Sequence, residues 1–137
     1  MTPAEAAARS GKVVLGVDDQ PENIMMLESI LESQGFTFFG ASSGMECLSL
    51  VQRVNPRLIL LDVQMPEMDG YETCRRLRRM TQFHAMPIAF LTARKEVEDV
   101  KTGIAVGGND FIVKPFDPVK LVNRVVHWTS RRVNAAA

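Results

Sequence analysis

Asp18, Asp19, Asp62, Thr92 and Lys114 lie far apart in the chain, yet each stands at the end of a short apolar run. Val13-Val14-Leu15-Gly16-Val17 leads into Asp18-Asp19, and Leu58-Ile59-Leu60-Leu61 leads into Asp62. Ile88-Ala89-Phe90-Leu91 leads into Thr92, and Phe111-Ile112-Val113 into Lys114-Pro115. If the four runs are parallel strands of one sheet, their carboxyl ends share an edge, and open α/β sheets bind ligands outside that edge. Three carboxylates gathered there repel one another and raise their own pKa values unless a cation intervenes. Mg²⁺ suits such a group, because it takes carboxylates, keeps waters and accepts phosphate oxygens. A carboxylate at Asp62 can attack phosphorus and form an acyl phosphate. Lys114 can supply a point charge to Asp62 and then to a phosphoryl oxygen. Thr92, with the small Ala93 beside it, can donate a hydroxyl hydrogen bond. Each residue also has a plainer reading: Asp62 as a cap, Lys114 as a surface lysine, Thr92 as a strand end. One of Asp18 and Asp19 can be a helix cap, but a cap does not explain two in succession.

For these residues to meet, the runs must be buried on both faces, with helices returning between them. The runs lack polar alternation, as parallel strands covered on both sides do, and helical periodicity fills the gaps. A first helix is predicted from Pro21, with Asp19 or Gln20 as cap, Ile24, Leu27, Ile30 and Leu31 inward, and Gly35 closing it. Thr37 to Ala41 reads as a weak edge strand. Ser43-Gly44-Met45-Glu46 has capping-box spacing ahead of Cys47, Leu48 and Val51, and Asn55-Pro56 stops that helix. Asp69-Gly70-Tyr71-Glu72 repeats the spacing for a third helix packed through Cys74 and Leu77. Arg75, Arg76, Arg78 and Arg79 are expected on its solvated face. Pro87 is tolerated at the mouth of a strand. Val97, Val100 and Ile104 mark a fourth helix ended by Gly107-Gly108. Asp117-Pro118 opens a fifth with Leu121, Val122, Val125, Val126 and Trp128 as its apolar face. Met25, Met26, Met65, Met68 and Met80 read as core and loop packing. The sum is a flavodoxin-like, doubly wound α/β fold: a five-stranded parallel sheet in order 2-1-3-4-5 with five helices on both faces. The predicted boundaries are a flexible lead-in at 1–11, one domain at 12–131 and a tail at 132–137.

A chain of 137 residues fits one domain. Its 16 basic and 16 acidic side chains cancel, so no net field drives it onto nucleic acid or an anionic membrane. No apolar stretch approaches the roughly 20 residues that cross a bilayer. Met1 to Lys12 lacks the apolar region of a secretory signal. Cys47 and Cys74 lack metal or redox spacing and read as buried reduced thiols, which implies a cytoplasmic location. His84 and His127 have no ligand spacing.

Four motifs together give the chain a family likeness: Val17-Asp18-Asp19-Gln20-Pro21-Glu22-Asn23, Asp62-Val63-Gln64-Met65-Pro66-Glu67-Met68-Asp69-Gly70, Leu91-Thr92-Ala93, and Asn109-Asp110-Phe111-Ile112-Val113-Lys114-Pro115-Phe116. In order and spacing, over about Lys12 to Arg131, they resemble the receiver domain of two-component response regulators. The resemblance implies a phosphorylation-activated switch in which Asp62 is the phosphoacceptor, taking its phosphoryl group from a histidine kinase or a histidine phosphotransfer protein. It implies that Asp18, Asp19, Asp62 and the Gln64 backbone carbonyl hold Mg²⁺, with Mn²⁺ as a substitute, and that Thr92 and Lys114 contact the phosphoryl group. It also implies a cis Lys114–Pro115 bond. Thr92 would move toward the phosphoryl group, and the Phe111 ring would fill the space it leaves. The face of the fourth helix, fifth strand and fifth helix would then change toward a downstream partner, an output domain or a second copy. Many members carry Tyr where this chain has Phe111, which lacks a hydroxyl to hold an outward rotamer. Gln64 and Arg94 occupy positions that in the family influence phosphoryl lifetime. Arg94 is expected to reach the phosphoryl oxygens and slow hydrolysis.

An enzyme is the main competing reading. Haloacid-dehalogenase-type phosphatases also form an aspartyl phosphate, but use a second Asp two residues on, where this chain has Gln64. No GxxxxGK[ST] loop is present. The signalling domain therefore catalyses only its own phosphorylation and slow dephosphorylation. Thr129 to Ala137 is too short for an output module. The expectation is either a stand-alone receiver acting through protein contacts or a piece of a longer multidomain regulator.

Overall fold

The computed structural model describes residues 12–93 and 97–130. The expected lead-in at 1–11 and tail at 132–137 lie outside the described residues. In chain order the elements are β1 (Val13–Val17), α1 (Pro21–Glu32), β2 (Thr37–Ala41), α2 (Gly44–Val54), β3 (Leu58–Asp62), α3 (Gly70–Arg79), a 3₁₀ turn at Thr81–Phe83, β4 (Ile88–Thr92), α4 (Val97–Ala105), β5 (Asp110–Val113) and α5 (Pro118–Ser130). The strands form one parallel sheet in order β2-β1-β3-β4-β5, as predicted.

Side-chain alternation along each strand splits the interior into two layers. Leu58 and Leu60 of β3 point to α1 and α5, joining Leu27, Leu31, Leu121 and Val125. Ile59 and Leu61 point the other way, joining Cys47 and Val51 of α2 and Cys74 and Leu77 of α3. Both neighbours of β3 obey the same alternation, which is why its run reads as continuously apolar. Both thiols are fully buried and free, and burial pushes Cys47 up to about 12.

Caps set the helix starts beside the functional edge. Ser43 Oγ accepts the Glu46 N–H at 3.1 Å, while the Glu46 carboxylate turns back to the Ser42 N–H. Asp69 Oδ1 accepts the Glu72 N–H at 2.8 Å. Asn55 ends α2 in the left-handed region at φ 47°, just ahead of Pro56.

Four local expectations are corrected. Arg78 is not on the solvated face. Its guanidinium is partly buried and donates to the carbonyls of Phe83, Met86 and Gly107 and to Asn109 Oδ1, at 2.6–3.0 Å. Arg75 and Arg76 do face solvent, paired with Glu72. On α4, Ile104 is 64% exposed. The inward position belongs to Gly103, where an added Cβ would lie 2.3 Å from the Phe111 ring. The ring occupies the space a side chain would need. On α5, Val126 points outward at 45% exposed, because Leu121, Val125 and Thr129 already cover the sheet. Finally, Met25 (68% exposed) and Met26 lie on the outer side of α1, whereas Met65 and Met68 are buried as expected.

Candidate functional site

β1 delivers Asp18 with its backbone still in the sheet, the Asp18 N–H donating to the Ala41 carbonyl at 3.1 Å. β3 delivers Asp62 as its last residue, in register with Leu91 of β4. Thr92, in turn, is in register with Val113 of β5, and the Lys114 N–H donates to the Thr92 carbonyl at 2.8 Å. The Lys114–Pro115 bond is cis. Parallel register thus brings residues 18, 62, 92 and 114 to one rim.

The Asp18 side chain is wholly buried. Its charge is met by the Gln20 N–H at 2.9 Å, Asn23 Nδ2 at 3.1 Å and Lys114 Nζ at 2.8 Å. Lys114 Nζ also reaches Asp62 Oδ1 at 3.0 Å, so one ammonium bridges two carboxylates. One oxygen from each of Asp18, Asp19 and Asp62 lies within 4.8 Å of the others, with Asp19 on the exposed side. Burial pushes the Asp62 carboxyl up to about 6. The Lys114 hydrogen bond pulls against that rise, and the Asp18 charge adds to it. Burial works against the Lys114 ammonium, but its hydrogen bonds to Asp18 and Asp62 prevail and hold it above the ordinary lysine range. Three carboxylates against one ammonium leave an excess of negative charge on hard oxygen donors. That donor set fits a small divalent cation such as Mg²⁺.

An open cavity of about 880 Å³ lies over this cluster, with Asp19, Asn23, Asp62, Gln64, Thr92 and Lys114 among its lining residues. The predicted residues Asp18, Asp19, Asp62, Gln64, Thr92 and Lys114 are therefore gathered at one place. Phe111 is not at the cavity. Its ring is buried beneath α4 and tilted against Phe90, with centroids 5.6 Å apart. Arg94 lies outside the described residues.

Three contributors escaped the sequence reading. Gly70 opens α3 against the backbone of the Asp62 strand end: its N–H donates to the Val63 carbonyl at 2.8 Å, and an added Cβ would lie 2.2 Å from the Asp62 carbonyl oxygen. In the sequence Gly70 stood inside a cap motif and at the end of the Asp62 motif, and neither marked its close approach to the Asp62 backbone. Asn23 sits one helical turn beyond Asp19, a spacing that could have pointed to it. Asp99, on the first turn of α4, lines the cavity, and its carbonyl accepts the Tyr71 hydroxyl at 3.4 Å across from α3. Nothing in the sequence marked that contact.

The family described as response regulator receiver domain matches residues 14–126. Among curated proteins, the chain is 39% identical over 124 residues to a probable transcriptional regulator, ycf27, of Porphyridium aerugineum, covering 90% of this chain and 50% of that protein. The chain spans about half the length of the ycf27 regulators that it matches. Among solved structures, the chemotaxis protein CheY4 of Vibrio cholerae superposes with a TM-score of 0.82 at 33% identity, covering 85% of this chain and 97% of that one. The receiver domain of the sensor histidine kinase PA1611 of Pseudomonas aeruginosa, solved with a magnesium ion in its active-site cleft, gives 0.81 at 29% identity, covering 88% and 99%. No helix among the described residues is long and apolar enough to cross a membrane.

Proposed function

Because this chain belongs to the response regulator receiver family of two-component systems, we propose that Asp62 accepts a phosphoryl group from the phosphohistidine of a histidine kinase or histidine phosphotransfer protein. The observation that carries this reading is the convergence of Asp18, Asp19, Asp62 and Lys114 in one cavity at the sheet edge. An Asp62 oxygen bonds to phosphorus as the phosphorus–nitrogen bond breaks, and the imidazole leaves with the electron pair and takes up a proton from water. Lys114 orients the Asp62 carboxylate before transfer and meets phosphoryl charge afterwards. Thr92 offers its hydroxyl to a phosphoryl oxygen. Asp18, Asp19 and Asp62, with the Gln64 backbone carbonyl, would hold Mg²⁺ or Mn²⁺, and the ion would neutralise charge on the transferring group. The magnesium-bearing cleft of the PA1611 receiver supports that assignment.

Coupling runs through Phe111. Its burial against Phe90 and Gly103 gives β5 a packed contact with α4, so movement of Thr92 is felt at the face of α4, β5 and α5. That face controls a downstream partner, an output domain or a second copy of the chain. The protein acts in the cytoplasm, and its chemistry is limited to its own phosphorylation and slow dephosphorylation. Gln64 and Arg94 tune phosphoryl lifetime. Arg94→Ala is expected to lose phosphoryl faster than the unmodified protein, and equal decay rates would refute that role.

Incubation with acetyl phosphate and Mg²⁺, followed by intact mass, tests the central claim. One phosphoryl group should be gained, and none by Asp62→Asn or in chelator. A phosphorylated Asp62→Asn protein would sink it. A second reading, that the chain is the receiver portion of a longer regulator, is favoured by its spanning about half of the ycf27 regulators.

A further inference from the structure

A buried carboxylate must be hydrogen-bonded, and one that serves a small cation must also be held in a single orientation. The first turn of α1 does both for Asp18. The Gln20 N–H grips Oδ1 at 2.9 Å, and Asn23 Nδ2 grips Oδ2 at 3.1 Å. The two oxygens are thus clamped from one helix start. Asn23 is half-buried and borders the cavity. Its amide is steadied from a second side, since Nδ2 also donates to Gln20 Oε1 at 3.3 Å. Lys114 reaches the same Oδ2 but divides its ammonium between Asp18 and Asp62. Asn23 donates to no other carboxylate among the described residues.

On the reading that Asp18, Asp19 and Asp62 hold the cation, we propose that Asn23 is a positioning residue that fixes the Asp18 carboxylate for octahedral coordination and so favours Mg²⁺ over Ca²⁺. Mg²⁺ demands near-ideal geometry at about 2.0–2.1 Å, whereas Ca²⁺ accepts flexible shells at about 2.3–2.6 Å. Groups that orient metal ligands are worth about 10- to 100-fold in affinity. A loosened Asp18 therefore weakens Mg²⁺ more than Ca²⁺.

Isothermal titration of the full chain with MgCl₂ and with CaCl₂ tests this, using unmodified protein, Asp18→Asn, Asn23→Ala and Asn23→Leu. Leu fills the space of Asn without donating. Both Asn23 variants should lose about 10- to 100-fold in Mg²⁺ affinity and a smaller factor for Ca²⁺. The Mg²⁺ concentration that half-saturates acetyl-phosphate labelling should rise in parallel. Unchanged Mg²⁺ affinity, recovery in Asn23→Leu, or equal losses for both ions would overturn the proposal. If the unmodified chain takes up no Mg²⁺, the metal reading itself falls. If it binds and Asp18→Asn does not, while the Asn23 variants bind normally, only the Asn23 role falls.

Discussion

At the scale of single residues, the site is defined by an unequal treatment of its acids. Asp18 is buried with three donors around it, while Asp62 divides the Lys114 ammonium with Asp18 and is pushed up to about 6 by burial. An unfolded aspartate titrates near 3.8, so the folded metal-free protein holds the Asp62 proton more tightly than the unfolded chain does. The stability from that proton is complete below about pH 4 and is lost as pH rises through about 6. In chelator, Asp62→Asn should therefore match the unmodified protein near pH 4 and become progressively more stable than it up to about pH 6–7. Urea unfolding across that range measures the difference, and a flat difference would contradict the buried-acid account.

At the scale of elements, two contacts hold the functional edge in shape. The α3 start lies so close to the Asp62 backbone that Gly70 alone fits. Gly70→Ala should cost about 1–3 kcal/mol, as overpacking does, and should also slow acetyl-phosphate labelling, because the displaced atoms belong to the phosphoacceptor itself. Arg78 fastens α3 to the loops that enter β4 and β5 through five hydrogen bonds. Arg78→Met leaves partly buried carbonyls unmet, and a loss of at least about 2 kcal/mol in chemical denaturation is expected. Arg78→Lys should recover little, since one ammonium cannot span three separate carbonyls. Neither contact was legible in the sequence. Four arginines within five positions look alike in a helical pattern, and only the neighbours of Cys74 and Leu77 decide which one turns inward. Gly103 was missed for a related reason: a hydrophobic periodicity counts side chains, and here the apolar partner is the Phe111 ring on the other element. The strand order, the side-chain caps at Ser43 and Asp69 and the five residues at the strand ends were legible. In those places the chemistry or the backbone geometry demands a particular residue type, whereas Arg78 and Gly103 are set by what packs against them.

At the scale of the whole molecule, an ion held at the rim by Asp18, Asp19 and Asp62 would tie β1 to β3, the central strand of the sheet. Binding there should stabilise the native state as a unit. At 100 times its dissociation constant Mg²⁺ should add about 2.7 kcal/mol, read as a higher thermal midpoint that chelation or Asp18→Asn abolishes. The two free thiols extend this reach. Cys47 and Cys74 sit on neighbouring helices of one layer, sealed from solvent and held protonated by burial. Disulfide reagents can modify them only during transient excursions from the native fold. The rate at which each sulfur is captured thus becomes a clock for how often its helix lifts away, with no label or mutation required.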